Sequence, residues 1–215
     1  SLESLDRIYA ENGAHEALAT VLKRRIEGGD VPADQVDWSY RLGRILAYDL
    51  DRTDEAIAVY QKVLADLEPE HAESIKALQD IYTRKGDWQN LLASFEKELD
   101  VVFGDSNRAD VLAKMARLSS DHLNDEAKAI ELWRQVLELR GEDPEALNAI
   151  GKIYADQERW ADLVEILERE SSIAETDELR VQIYADLGRI WYEKLERSRS
   201  ALDSWENALA IDPAN

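Results

Sequence analysis

Three histidines, His15, His71 and His122, are the side chains of this chain best suited to metal ligation or proton transfer. Their spacing follows neither a helical turn nor a longer repeat, and a metal site needs two or more such ligands converging with a carboxylate. They read as surface or hairpin-junction residues. There is no cysteine, which removes disulfides, thiolate nucleophiles and Cys-ligated zinc. No glycine-rich phosphate loop and no nucleophile flanked by small residues occurs. Carboxylate pairs such as Asp54-Glu55 and Asp125-Glu126 are frequent, but 46 acidic residues stand against 26 basic ones. In so acidic a chain these pairs suit helix starts, where they complement the macrodipole. A general acid needs a buried, shifted carboxyl group, and no pattern singles one out. No catalytic, cofactor-binding or metal residue is predicted, and the chain reads as a non-enzyme.

One constellation is left, and it rests on a repeat. The pairs Ile8-Tyr9, Ile81-Tyr82 and Ile153-Tyr154 recur at intervals of 73 and 72 residues. So do Leu42-Gly43-Arg44-Ile45, Met115-Ala116-Arg117-Leu118 and Leu187-Gly188-Arg189-Ile190, and so do Tyr60, Trp133 and Trp205. Each period divides into two halves, and one place in each half is held by Arg7, Arg44, Asp80, Arg117, Lys152 and Arg189. Five of these six are basic in a chain of net charge −20. Three residues further on stand Ala10, Ala47, Thr83, Ser120, Ala155 and Tyr192, mostly small, which leaves room beside a long cation. The overall acidity argues against a nucleic-acid backbone or an anionic membrane surface as partner. Its plainest meaning is solubility.

The elements that carry these positions are helices. Apolar periodicity predicts them near 2–12, 14–28, 33–50, 54–67, 70–85, 88–102, 107–122, 125–139, 145–157, 159–173, 177–195 and 199–211. In the eighth, Ile130, Trp133 and Leu137 line one side and Glu126, Glu131 and Glu138 occupy much of the other, so the helix needs a partner surface. No stretch alternates with a period of two, and no strand is predicted. Pro32, Pro69, Pro144 and Pro213 all fall between helical pairs, as a residue without an amide hydrogen should. Asp143-Pro144 and Asp212-Pro213 read as N-cap and first helical residue, and Asp87 and Asn124 as further N-caps. Gly28-Gly29-Asp30 and Gly104-Asp105 read as helix closures. The short connections force neighbouring helices antiparallel. Five of the six tryptophans sit at repeat-equivalent or motif positions and read as packing residues. Trp38, with Val111 at its equivalent place, reads as a core or junction residue, with a contact role as the alternative.

These residues resemble tetratricopeptide repeats, helix–turn–helix units of about 34 residues. Tyr184, Leu187, Gly188 and Trp191 match the first helix of the family motif, and Ala201, Trp205, Ala208 and Pro213 its second helix and end. Leu42, Gly43, Ala56, Tyr60 and Pro69 repeat the scheme, as do Met115, Ala116, Ala129 and Trp133, and Leu147, Ile150, Gly151 and Tyr154 open another unit. Alternate hairpins depart from it, with Leu18, Leu91 and Leu163 where the family has a small residue. They carry instead a turn signal, Gly86-Asp87-Trp88 echoed by Glu158-Arg159-Trp160. The resemblance implies an all-α solenoid, a right-handed α–α superhelix of about six antiparallel hairpins. The units fall near 1–31, 32–69, 70–104, 105–143, 144–175 and 176–215. The chain opens partway into a first helix and stops two residues past Pro213. That phase predicts a segment of a longer array without a polar cap.

In this family the first helices line the concave wall. The resemblance therefore places the cations in the groove, with Tyr40 and Tyr192 as flanking aromatics to Arg44, Arg117, Lys152 and Arg189. Arginine's planar fork suits carboxylates, so the first expectation is a scaffold that binds a protein or peptide, acidic in character. The same cations could instead pair with acids of their own chain, such as Glu193 or Asp121. The family's carboxylate clamp of paired Lys and Asn is absent, although Asn148 and Lys152 lie one turn apart. A second expectation is a spacer or assembly segment that uses its convex face or its ends, with end-to-end self-association. A third is the non-catalytic arm of an enzyme whose active domain lies elsewhere. No apolar run is long enough to span a membrane, and Ser1-Leu2-Glu3-Ser4 has no signal-peptide character. Neither observation names a compartment.

Overall fold

The computed structural model describes residues 14–28 and 32–213, and among them every regular element is helical. Eleven helices follow one another: α1 (His15–Gly28), α2 (Pro32–Arg44), α3 (Thr53–Lys62), α4 (Ala72–Lys85), α5 (Trp88–Val101), α6 (Asp105–Asp121), α7 (Glu126–Arg140), α8 (Pro144–Asp156), α9 (Trp160–Ile173), α10 (Asp177–Glu193) and α11 (Ser198–Ile211). Both helices of the second hairpin run on into a π-helical turn, Ile45–Asp49 after α2 and Val63–Leu67 after α3. The sequence-predicted helices agree with these to within a few residues. The helix expected near 2–12, with Arg7, Ile8, Tyr9 and Ala10, lies outside the described residues, as do Gly29 and Asp30.

Punctuation is set by local chemistry. Asp143 caps α8, its Oδ1 accepting the Ala146 amide at 3.0 Å with Pro144 at the first helical position. Asp87 caps α5, accepting the amide of Asn90 at 3.4 Å. Asn124 is not the N-cap of α7. Asp125 is, accepting the Lys128 amide at 3.0 Å, while Asn124 takes the left-handed conformation at φ 52°. The reason is periodic. Asp51, Asn124 and Glu196 occupy one place in the repeat, all at φ of 51–53°, each ending the first helix of a hairpin. Around them the amides of Leu50, Leu123 and Leu195 return to the carbonyls of Ile45, Leu118 and Ile190, which satisfies carbonyls the helix end would otherwise orphan. In the alternate hairpins Gly86 and Glu158 hold the equivalent left-handed place, at φ 65° and 55°. Gly104 precedes α6 at φ 87°, whereas α5 itself ends on Val102.

The helices form two compact units, Ser1–Val102 and Phe103–Asn215. In the first, α2 packs against α1 and α3, and α4 against α3 and α5. Its core holds Leu22, Leu46, Tyr60, Val63, Ile75 and Ile81, all at 1% exposure or less. In the second, the broadest contacts are α6 with α7 and α10 with α11, and Val136, Leu147 and Ile150 are fully buried. Small residues let the paired helices approach. A Cβ on Gly43 would lie 2.5 Å from Tyr60 Cζ, and one on Gly188 would overlap the Trp205 indole. Successive hairpins are also tied alike in both units: Gln61 Nε2 donates to the Tyr82 hydroxyl at 3.1 Å, and Arg134, its repeat equivalent, to the Tyr154 hydroxyl at 2.8 Å.

The two lengths of the period have one cause. His71 lies eleven positions after Tyr60, and their equivalents, Asp143 and Trp133, lie ten apart. The additional residue is taken up in the π turn after α3, where the Glu68 amide reaches back to the Val63 carbonyl at 2.8 Å. Residues before this turn therefore recur after 73, and residues beyond it after 72.

Candidate protein-binding surface

The cationic positions share a local cause of exposure. Each sits next to a small or apolar residue that the hairpin buries, Gly43 beside Arg44, Ala116 beside Arg117, Gly151 beside Lys152 and Gly188 beside Arg189. The cation thus projects away from the hairpin core, and all four are exposed. The expectation of a small, open neighbour three residues on meets a difference at Ala47, which is core at 3% exposure.

In the first unit, Arg44 has no ion-pair partner among the described residues. It lines a pocket of about 300 Å³ between α1 and α2 with Leu18, Leu22, Ile45, Tyr48 and Asp49. Tyr40 is half-buried. Its ring meets His71 edge-on at 5.5 Å and Tyr60 at 5.9 Å, so it supports the hairpin junction from beneath the surface. Asp80, the one acid in the series, is already engaged. It accepts the Tyr48 hydroxyl at 2.7 Å and pairs with Arg84 at 3.0 Å, and the Arg84 guanidinium stacks 4.9 Å from the Tyr48 ring. Partial burial and the Asp80 carboxylate raise the Tyr48 phenol above its ordinary pKa.

In the second unit, Arg117 pairs with Glu145 at the start of α8, its Nε donating at 2.7 Å, and lies 5.6 Å from the Trp133 ring. Arg189 pairs with Asp186 one turn back at 3.3 Å. Internal pairing thus occurs, but with Glu145 and Asp186 rather than with Asp121 or Glu193. Lys152 has no ion-pair partner among the described residues. Tyr192 is 57% exposed and tilts against Trp205 at 5.9 Å.

Arg189 lines a pocket of about 320 Å³ between α9 and α10 with Trp160, Leu163, Leu167, Ile190 and Lys194. This pocket is the repeat counterpart of the Arg44 pocket: Leu18 and Leu163, Leu22 and Leu167, Ile45 and Ile190, and Arg44 and Arg189 correspond one to one. Each offers an aliphatic floor beneath an arginine. The leucines that replace the family's small residue at 18 and 163 contribute to that floor, a role the sequence reading did not assign. Tyr48, Glu145 and Asp186 were also missed. Their signal was available for Asp186, three residues before Arg189 on one helix, but not for Glu145, which comes from another hairpin.

The histidines are junction residues: His15 lies 3.5 Å from Asp49, His71 caps α4 by accepting the Ser74 amide, and His122 follows the end of α6. Trp38 is half-buried beneath the Arg25 guanidinium at 5.6 Å. No cluster of three or more metal-ligating side chains occurs among the described residues, and none of their helices is long and apolar enough to cross a membrane.

Two family models, both described as tetratricopeptide repeat, match the chain over residues 12–72 and over residues 74–109 and 146–181. No curated protein matches it. Among solved structures it is similar to YrrB, described as a TPR protein with an unusual peptide-binding site, at 19% identity over 92% of this chain and 95% of that one, with a TM-score of 0.47. It is similar to MamA at 20% identity over 81% and 92%, with a TM-score of 0.48. A tetratricopeptide repeat protein of Parabacteroides merdae shares 13% identity over 97% and 91%, with a TM-score of 0.49.

Proposed function

Because the chain belongs to the tetratricopeptide-repeat family, we propose that it is a non-catalytic protein-interaction scaffold whose cationic wall receives an acidic peptide or helix. In the first unit the wall consists of Arg44 with Tyr40 behind it. In the second it consists of Arg117, Lys152 and Arg189 with Tyr192 beside them. The observation that carries this reading is that Arg44 and Lys152, exposed at equivalent places in a chain of net charge −20, have no ion-pair partner among the described residues. At these two positions a ligand carboxylate has no acid to displace among the described residues. At Arg117 it would have to displace Glu145, and at Arg189 Asp186. Those two contacts are exposed and exchangeable at a cost of about 1 kcal/mol or less each.

The test is a fluorescein-labelled peptide of alternating Glu and Leu, followed by anisotropy at low ionic strength. Arg44→Glu and Lys152→Glu should each weaken binding several-fold without loss of stability, since neither breaks an ion pair seen in the protein. Added salt should weaken the wild type in the same sense. Equal affinity for wild type and both variants would remove the proposal. A Lys-for-Glu version of the peptide binding as well would do the same.

The assembly-segment reading has its own support in Leu202 and Leu209 of α11, which are 53% and 46% exposed. If they carry contacts between copies, sedimentation velocity should show self-association that Leu202→Gln with Leu209→Gln abolishes. A monomer at all concentrations would dismiss it.

A further inference from the structure

A further pocket of the second unit, with a broad apolar wall, does not include the cationic positions. It has a volume of about 430 Å³ and opens where the start of α8, the end of α9, the 174–176 connection and the start of α10 meet. Ile173, Ala174, Leu179 and Ile183 form its apolar wall, and Asn148, Glu170 and Glu175 are its polar lining. Ala174 and Ile183 belong to the core, at 7% and 6% exposure, whereas Leu179 is left 50% exposed. Glu170 is the unusual member. It is half-buried and has neither a hydrogen bond nor an ion pair among the described residues, although its neighbour Arg169 is held by Glu142 at 3.2 Å. Burial without a partner raises its carboxyl pKa. The Asn148 side chain likewise has no hydrogen-bond partner among the described residues. Thr176 is occupied, since its hydroxyl accepts the Leu179 amide at 3.2 Å.

An apolar wall, a carboxylate without a counter-ion and an amide oxygen free to accept define one kind of occupant. It must bury hydrocarbon and deliver a cation at its end. A plain aliphatic side chain would leave Glu170 further desolvated and unpaired, which is costly. An acidic side chain would add repulsion from Glu170 and Glu175. Arginine meets both demands, because its methylene stem lies along apolar surface while the guanidinium reaches a carboxylate and a neighbouring amide oxygen together.

We propose that this pocket is an arginine-binding site for a basic segment of a partner protein, with Glu170 and Asn148 receiving the guanidinium and Ile173, Leu179 and Ile183 receiving the stem. The site is separate in residues and opposite in charge preference from the cationic wall. A partner carrying both acidic and arginine-bearing stretches would engage the second unit at two places.

The probe is an acetylated, amidated hexapeptide with one Arg-Leu pair among alanines, titrated into the isotopically labelled full chain and followed by amide chemical shifts. Saturable shifts should appear at Asn148, Glu170, Ala174, Leu179 and Ile183. Glu170→Gln should lower affinity about ten-fold, the loss of one charge-assisted contact. Leu179→Ser should lower it several-fold, and a Gln-Leu peptide should bind at least ten-fold more weakly. Because Glu170→Gln removes a half-buried carboxylate that has no ion pair among the described residues, the variant should fold, and a circular-dichroism melt no lower than that of wild type separates a loss of binding from unfolding. Arg44→Glu, in the first unit and outside the pocket, should leave the arginine peptide unaffected, which keeps this test independent of the acidic-ligand proposal. The inference fails if shifts are absent at these residues up to millimolar peptide, if Glu170→Gln binds as well as wild type, or if the Gln-Leu peptide binds equally.

Discussion

Replacing Gly43 by alanine should destabilise the first unit, although alanine is the better helix former. Gly43 lies inside α2 with ordinary helical backbone, so propensity alone favours the change by about 1 kcal/mol. Opposing it, the new Cβ would stand 2.5, 2.6 and 3.0 Å from Cζ, Cε1 and Cε2 of Tyr60. Ordinary carbon contacts need 3.5–4.0 Å, so the ring would have to retreat by about 1 Å. It has nowhere to go: Tyr60 is 0% exposed and backed by the Tyr40 ring at 5.9 Å. Overpacking of this kind costs about 1–3 kcal/mol, leaving a net loss of up to about 2 kcal/mol. The backbone itself is not the obstacle, because Ala116 occupies the same place opposite Trp133 in the second unit. Gly43→Ala combined with Tyr60→Leu should therefore recover much of the loss. Gly151→Ala is the control, since its Cβ would meet only the ends of Ile166 and Leu163 side chains at 3.3 and 3.5 Å, and it should be neutral or stabilising by up to about 1 kcal/mol. Urea denaturation by circular dichroism gives the total, and amide hydrogen exchange localises it to α2 and α3. A Gly43→Ala protein as stable as wild type, or a double variant no better than the single, would refute the reasoning.

Tyr60→Phe should be neutral or stabilising by about 1 kcal/mol, because the buried Tyr60 hydroxyl has no hydrogen-bond partner among the described residues and burial, followed by the nearby Tyr40 and Tyr48 phenols, raises its pKa; a loss above that size in urea melts would reveal a partner for it. Glu196→Gly should stabilise by up to about 1 kcal/mol by removing a Cβ from the left-handed region, read as a rise in the denaturation midpoint of the second unit. Burial raises the folded-state pKa of Glu170, so the stability it contributes is full in acid, below the unfolded value, and is lost as pH climbs through the folded value. Glu170→Gln should therefore melt higher than wild type near pH 7, with the difference closing below about pH 4; a difference that widens in acid would reverse the assignment. Arg117→Gln should cost less than about 1 kcal/mol, the value of an exposed pair with Glu145, and Glu145→Gln should add little to it in a double-mutant cycle.

The repeat, the helices and their caps were open to reading because they depend on neighbours in sequence. Asp87 and Asp143 cap the amides three residues ahead, prolines sit where no amide is required, and the spacing of Ile130, Trp133 and Leu137 declares a buried helix side. Asn124 was misread by one place because Asn and Asp compete for a cap, and only the left-handed backbone at that point shows that Asn124 ends one helix while Asp125 begins the next. The exposed cations could be placed in a series by period, and the family pattern supplied a groove for them. Pairing could not be read this way: Glu145 meets Arg117 from another hairpin, while Arg44 and Lys152 have no ion-pair partner among the described residues, and packing between hairpins is encoded by no local pattern. The arginine pocket was invisible for the same reason, since Asn148, Glu170 and Ile183 come from three helices and share no motif. The unequal period, plain in the residues themselves, acquired a cause only in three dimensions. A single added residue was absorbed as a π turn after α3, because widening one helical turn there costs less than shifting Tyr60 and every buried side chain before it out of register.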